Sequence, residues 1–208
     1  MRRLWTTKGE FDFTGRWFTS KRAWSEPKPV QAPCPPIMNA GGSKAGQQFA
    51  ATVADMNFLI LREHDLEGGR AQVNHLKGMA RAAGREVQVW IHVYVVCRDT
   101  EKEAKDYLDH YVREKGDVEA VNNLLTIFGM QSESLPPQVL EDFRFHFIAG
   151  HGGYPLVGTP EQVVDGMELL SRMGVDGCLI SWVRYKDELQ QWTERVMPLM
   201  VQAGQRKA

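Results

Sequence analysis

No stretch of this 208-residue sequence reaches the roughly 18 consecutive apolar residues that a membrane-crossing helix needs. The start, Met1-Arg2-Arg3-Leu4-Trp5, gives way to polar Thr6-Thr7-Lys8 instead of an apolar signal core. A bound membrane is therefore not expected, and the chain reads as cytoplasmic. Net charge is also scarce. A formal charge of -1 and a pI near 6.6 leave no sequence-wide basic field, which disfavours nucleic acid as a partner and leaves small neutral or anionic ligands open. The three cysteines, Cys34, Cys97 and Cys178, are isolated, with no Cys-x-x-Cys pair to frame a disulfide or zinc site. Six histidines are present, yet none has metal-binding spacing. His146 and His151 flank Phe147-Ile148-Ala149-Gly150 without a third ligand at a regular interval. No Ser-His-Asp order or paired-carboxylate motif can be defended either, so no metal is expected and no catalytic residue is assigned. An enzyme that relies on a bound cofactor needs few dedicated acids or nucleophiles.

What is present is ordinary globular composition, 43% hydrophobic and 25% charged, enough for one domain over residues 1–208. Residues 11–19 alternate aromatic and polar side chains across Thr14-Gly15, which suits a short hairpin. Its aromatics, Phe11, Phe13, Trp17, Phe18 and Trp24, read as interface or core. Five prolines between Pro27 and Pro36 break any regular element, so residues 1–36 form a hairpin and an extended lead-in. From residue 37 the pattern is strand then helix. Strands are expected at 37–40, 56–61, 87–97 and 175–183, and helices at 45–54, 66–83, 101–115 and 189–200. Thr159-Pro160-Glu161 opens a further helix that Gly174 ends. Residues 117–130 and 138–147 read as two inserted helices separated by Leu135-Pro136-Pro137, part of a helical insertion over about 117–150, with no obvious strand between the two. Near-continuous apolar strands alternating with helices imply a parallel sheet covered on at least one face. About four units make half of a closed eight-stranded barrel, and an open doubly wound sheet is the structural rival.

The sharpest local feature is Asn39-Ala40-Gly41-Gly42-Ser43-Lys44-Ala45-Gly46, between a strand and a helix. Glycines there let the backbone turn tightly, while the first free amides of the helix and the Ser43 hydroxyl point donors at an anion such as phosphate. The spacing is neither a dinucleotide fingerprint nor a Walker loop, and a glycine turn with Ser43 merely capping the helix is the plainer alternative. His64 follows a strand at the end where parallel α/β proteins keep their sites, or is a solvated loop residue. His92 reads as a core or barrel-interior side chain, and His110 as surface. His151-Gly152-Gly153-Tyr154-Pro155 is either a mobile loop over a pocket, with Tyr154 offering a ring and hydroxyl, or a plain connection. Trp182 could wall a flat ligand and Arg184 could meet an anion, with packing and surface charge as the alternatives.

Taken in order, these stretches resemble the bacterial luciferase-like family of flavin-dependent monooxygenases. Leu4-Trp5 through Phe13-Thr14-Gly15-Arg16-Trp17-Phe18 is similar to the family's helix end and inserted hairpin, and Glu26-Pro27-Lys28-Pro29 to the hairpin's exit. Ile37 to Gly46, with Phe49-Ala50 and Ala54-Asp55, is similar to its flavin-phosphate corner and following strand. Ala83-Gly84-Arg85, Arg98-Asp99-Thr100-Glu101-Lys102-Glu103-Ala104, Leu156 to Val163 and Val196-Met197-Pro198-Leu199-Met200 look like further landmarks. His110-Tyr111 and Gly116 to Ala120 are most similar to the pyrimidine and dimethylsulfone monooxygenase branch. The resemblance implies an α/β fold, an incomplete (β/α)8 TIM barrel comprising about the last four β/α units. It also implies FMN held at Ala40, Gly41, Gly42 and Ser43. Reduced FMN would come from a separate NAD(P)H:flavin reductase, with O2 and a small organic substrate as partners; His64, Tyr154 and Trp182 are the substrate-side candidates. Met1 falls inside what should be the helix before the hairpin, so about four units are missing and the chain reads as truncated. Exposed strand edges then favour self-association. A non-catalytic half barrel and an open α/β phosphate-binding module are the alternatives.

Overall fold

The structure is a computed structural model that describes residues 1–129 and 136–207; the sequence reading of 130–135 lies outside them. Two compact units result, residues 1–37 and 38–208, divided one residue from the end of the proline-rich lead-in. The first unit holds α1 (Arg2–Thr6) and the antiparallel hairpin β1 (Phe11–Thr14) and β2 (Thr19–Ala23). Trp17 and Phe18 are both 77% exposed and Trp24 is 59% exposed, so these three aromatics are not core of the first unit.

The second unit contains β3 (Met38–Asn39), α2 (Lys44–Val53), β4 (Met56–Leu59), α3 (Leu66–Ala82), β5 (Gln88–Cys97), α4 (Glu101–Asp109), α5 (Val118–Ile127), α6 (Pro137–Gly150), β6 (Tyr154–Gly158), α7 (Pro160–Met173), β7 (Gly177–Ser181), α8 (Tyr185–Gln191) and α9 (Met197–Gln202). Single π-helical stretches, His110–Glu114 and Trp192–Val196, continue α4 and join α8 to α9. All strand pairings are parallel, as the near-continuous apolar runs imply. The helices start where the sequence places good caps. Thr100 and Thr159 each form a reciprocal capping box, with Glu103 and Gln162, and Gly174 ends α7 at φ 93°.

Among the described residues five parallel strands are present, one more than the four expected. The extra one is β6, at residues read from the sequence as a loop or connection. Pro155 and the flanking glycines hide it, but Tyr154 to Gly158 pair with Val93 to Cys97. β5 is the hub. Its residues 88–91 pair with β4 and 93–97 with β6, while 90–94 pair with β7. Because a strand has two edges, β4 and β6 share one edge in tandem and β7 takes the other.

The two faces of this sheet differ. Val89, Ile91, Val93 and Val95 point into an apolar layer with α3, α7 and the last helices, and each is essentially fully buried. On the opposite face the register aligns Met38, Met56 and Gln88, then Phe58 and Trp90, then His92 and Leu179. Met38 is 44% and Leu179 57% exposed, so among the described residues this face has no covering layer over its N-terminal half. Further along, Tyr94 and Val96 are covered by α4, its π-helical continuation and the end of α6. The helical insertion therefore lies over the C-terminal end of β5. α6 runs three residues beyond its expected end because Phe147 and Ala149 are buried and Gly150 abuts Tyr94.

Candidate functional site

At the corner between β3 and α2, Ser43 caps the helix, its Oγ accepting from Gly46 N at 3.1 Å. The amides of Lys44 and Ala45 precede the first intrahelical bond, so the helix offers them no acceptor, and the Ser43 hydroxyl proton remains to be donated. The two adjacent glycines differ. A methyl on Gly41 would lie 2.6 Å from Gly46 Cα and 2.8 Å from Asn39 Oδ1, and the Gly41 amide donates to that same Asn39 oxygen at 2.9 Å. Gly41 thus serves the close packing of the turn. Gly42 and Ala40 are exposed, and open space lies where a Gly42 side chain would be. The hydrogen-bond donors left open at this corner are accordingly the Ser43 hydroxyl and the first turn of α2.

The second locus lies at the C-terminal ends of β4 and β7, level with the middle of β5. Half-buried His64, in the connection from β4 to α3, stacks edge-on against Tyr154 with ring centroids 4.8 Å apart. It meets His146 of α6 in the same manner at 5.5 Å. His146 Nδ1 is 3.0 Å from the Tyr94 hydroxyl, and the Tyr154 hydroxyl donates to the His64 carbonyl at 3.4 Å. Beside them His92 Nε2 is 2.8 Å from Ser181 Oγ. Tyr154 is therefore a buried strand residue instead of the tip of a loop. His64 and Tyr154 come together as neighbours, while Trp182 stands across β5 from them.

Trp182 packs edge-on against Tyr185 and Trp192, at 5.6 and 5.8 Å. Together with Tyr94, Tyr111, Ala149, Gly150 and Ser181 it lines a cavity of about 80 Å³. The segment after β7 is held by Glu188, only 7% exposed, which accepts from Arg98 at 3.0 Å and from the Arg184 amide at 2.8 Å. The exposed Arg184 guanidinium pairs with Asp187 at 2.6 Å, fitting the surface-charge reading.

Electrostatically, burial disfavours the charged imidazoles. His64, His92 and His146 are all pushed below the ordinary histidine value, chiefly by desolvation. Proximity to His151 adds to this for His92, and proximity to His64 for His146. Burial also pushes the Tyr94 and Tyr111 hydroxyls upward. These groups are neutral hydrogen-bonding partners near pH 7. Tyr94 and His146 were not singled out as site residues in the sequence. Tyr94 occupies the even-numbered face of a strand whose odd face is core, but only its pairing partners show which face is the site.

A family model described as luciferase-like monooxygenase matches residues 1–177. The chain is 29% identical to an FMNH2-dependent dimethylsulfone monooxygenase of Pseudomonas putida, over 98% of this chain and 56% of that protein. It is likewise 29% identical to pyrimidine monooxygenase RutA of Acinetobacter baylyi, over 96% of this chain and 54% of that protein. Among solved structures, DmoA from Hyphomicrobium sulfonivorans superimposes with a TM-score of 0.78 at 21% identity, covering 98% of this chain and 53% of that one. Such neighbours are TIM-barrel-like. The chain spans little more than half the length of these relatives.

Proposed function

Since this chain belongs to the luciferase-like monooxygenase family, we propose that it is the C-terminal half of a cytoplasmic FMNH2- and O2-dependent monooxygenase that oxidises a small organic substrate. The carrying observation is the β3–α2 corner, which sets a capped helix N-terminus and an outward hydroxyl at the C-terminal end of a parallel strand, where such folds bind phosphates. The donor set fits the phosphate of FMN. Ser43 and the first turn of α2 hold it, Gly41 shapes the turn, and Gly42 with Ala40 keeps the approach open. Bound reduced FMN supplies the electrons that activate dioxygen, and a separate NAD(P)H:flavin reductase provides it in that state. The remaining task of the protein is to orient a substrate at His64, Tyr154 and Trp182 and to exclude water. Titrating FMN into the purified chain and into Ser43→Ala tests the corner: the variant is expected to bind about tenfold more weakly, and equal affinity would sink the assignment.

The open sheet face favours a second reading that concerns assembly. Met38, Phe58, Trp90 and Leu179 form an apolar face, and among the described residues β3 and β7 each have one paired edge. A half barrel with these features self-associates or takes up a complementary half. Light scattering that found a well-folded monomer would remove this reading.

A further inference from the structure

We infer that Ser181 is a nucleophile and His92 its base, a two-residue acyl-transfer site at the end of β7 that takes a short acyl group from a small ester. This reactivity belongs to the chain's own side chains and is independent of the monooxygenase reading.

β5 and β7 run parallel with His92 opposite Leu179 and Tyr94 opposite Ser181, so these four side chains share one face of the sheet. There His92 reaches diagonally to Ser181. Its Nε2 is 2.8 Å from Ser181 Oγ, within the distance a base needs to take a hydroxyl proton. Ser181 Oγ also lies 3.4 Å from the Val93 carbonyl, the long end of a hydrogen bond, so the imidazole nitrogen is the better acceptor. Packing seats the ring. A methyl on Gly153 would fall 2.9 Å from His92 Nδ1, so the glycine leaves the imidazole its position. Burial, with His151 nearby, holds His92 below the ordinary histidine value, so near pH 7 it is neutral and able to accept a proton.

Ser181 lines the cavity beside Trp182, a space of about 80 Å³ that has room for an acyl group of roughly two to four heavy atoms against Val95, Ala149 and Trp182. Leu179, level with His92, is 57% exposed, which leaves the sheet face open for a departing alcohol. In the reaction Ser181 Oγ bonds to the ester carbonyl carbon and its proton passes to His92 Nε2. The bond from that carbon to the leaving oxygen breaks, and the proton leaves with the alcohol. Water then attacks the acyl-serine, His92 takes its proton and returns it to Ser181 Oγ, and the carboxylic acid is released. Tyr94 supplies a donor to the carbonyl oxygen as negative charge develops there. Its hydroxyl is 3.0 Å from His146 Nδ1, and with the hydrogen on that nitrogen the phenolic proton points into the cavity that Tyr94 also lines.

The probe is p-nitrophenyl acetate, mixed with the full chain near neutral pH. The expected result is a burst of nitrophenolate of about one equivalent per chain, with the acetyl group found by mass spectrometry on the peptide that holds Ser181. p-Nitrophenyl octanoate, whose chain exceeds the cavity, should give no burst. Ser181→Ala should abolish the burst, His92→Gln should slow it about a hundredfold or more, and Tyr94→Phe about tenfold. Absence of a burst, acetylation confined to lysines or histidines, an equal burst from the octanoate, or wild-type behaviour of Ser181→Ala or His92→Gln would overturn the assignment. The peptide map of the wild-type chain decides the outcome even where a variant fails to fold.

Discussion

The two halves of the candidate site are built in opposite ways. The β3–α2 corner is local and exposed: its interactions run between Asn39, Gly41, Ser43 and Gly46, residues at most seven apart. The rim cluster is distributed and largely buried, joining the β4–α3 connection, β5, α6, β6 and the end of β7, with partners up to 90 residues apart. A local corner can be transplanted and recognised as a motif, but its exposure limits what each hydrogen bond contributes. A distributed cluster depends on the packing of several helices, so damage to it is felt in the stability of the whole unit.

The largest contrast should come from glycine. A methyl on Gly150 would fall 2.4 Å from Tyr94 Cβ and 2.8 Å from its ring, so Gly150→Ala should destabilise the second unit by about 1–3 kcal/mol in urea unfolding. Gly42→Ala, facing open space, should fall within about 0.5 kcal/mol of wild type. Similar costs for both would break the distinction between a packed cluster and an open corner.

Acid should also find the cluster first. The histidine values of His64, His92 and His146 lie below 6.5 in the folded chain, so the unfolded chain binds more protons as pH falls past that value. Stability is therefore complete above about pH 6.5 and declines below it. Urea midpoints measured from pH 8 to pH 5 check this, and replacing His146 with Phe should flatten the decline. A midpoint that rises on acidification would refute the neutral cluster.

Smaller effects belong to the corner and the rim surface. Ser43→Ala removes the cap to Gly46 and should cost about 1 kcal/mol, read by thermal unfolding, alongside its loss of FMN affinity. Arg184→Ala removes an exposed pair with Asp187 and should change stability by less than about 0.5 kcal/mol. A larger loss would mean that Arg184, like Arg98, belongs to the structure holding the cavity wall.

Much of the unit was legible in the chain because local rules and global packing agree there. The Thr159 and Thr100 caps, the β5 run and the Gly174 stop all fall where propensity places them. The glycine corner was legible for the same reason. β6 was not, since five residues containing a proline and bordered by glycines carry no period of their own, and only pairing with Val93 to Cys97 makes them a strand. Hidden with it was the burial of Tyr154, and so its partnership with His64.

By itself the sequence determined the order of the helices and of the strands other than β6, the capped glycine corner and, through its ordered landmarks, the family. These rest on contacts within a few residues or on patterns that survive without coordinates. Only the tertiary structure decided which face of β5 is core and which is site, that His146 and Tyr94 complete the His64–Tyr154 cluster, and that uncharged walls enclose the cavity beside Trp182. Those follow from register and helix packing, where side chains distant in sequence meet because burying the apolar face of the sheet leaves them no other arrangement.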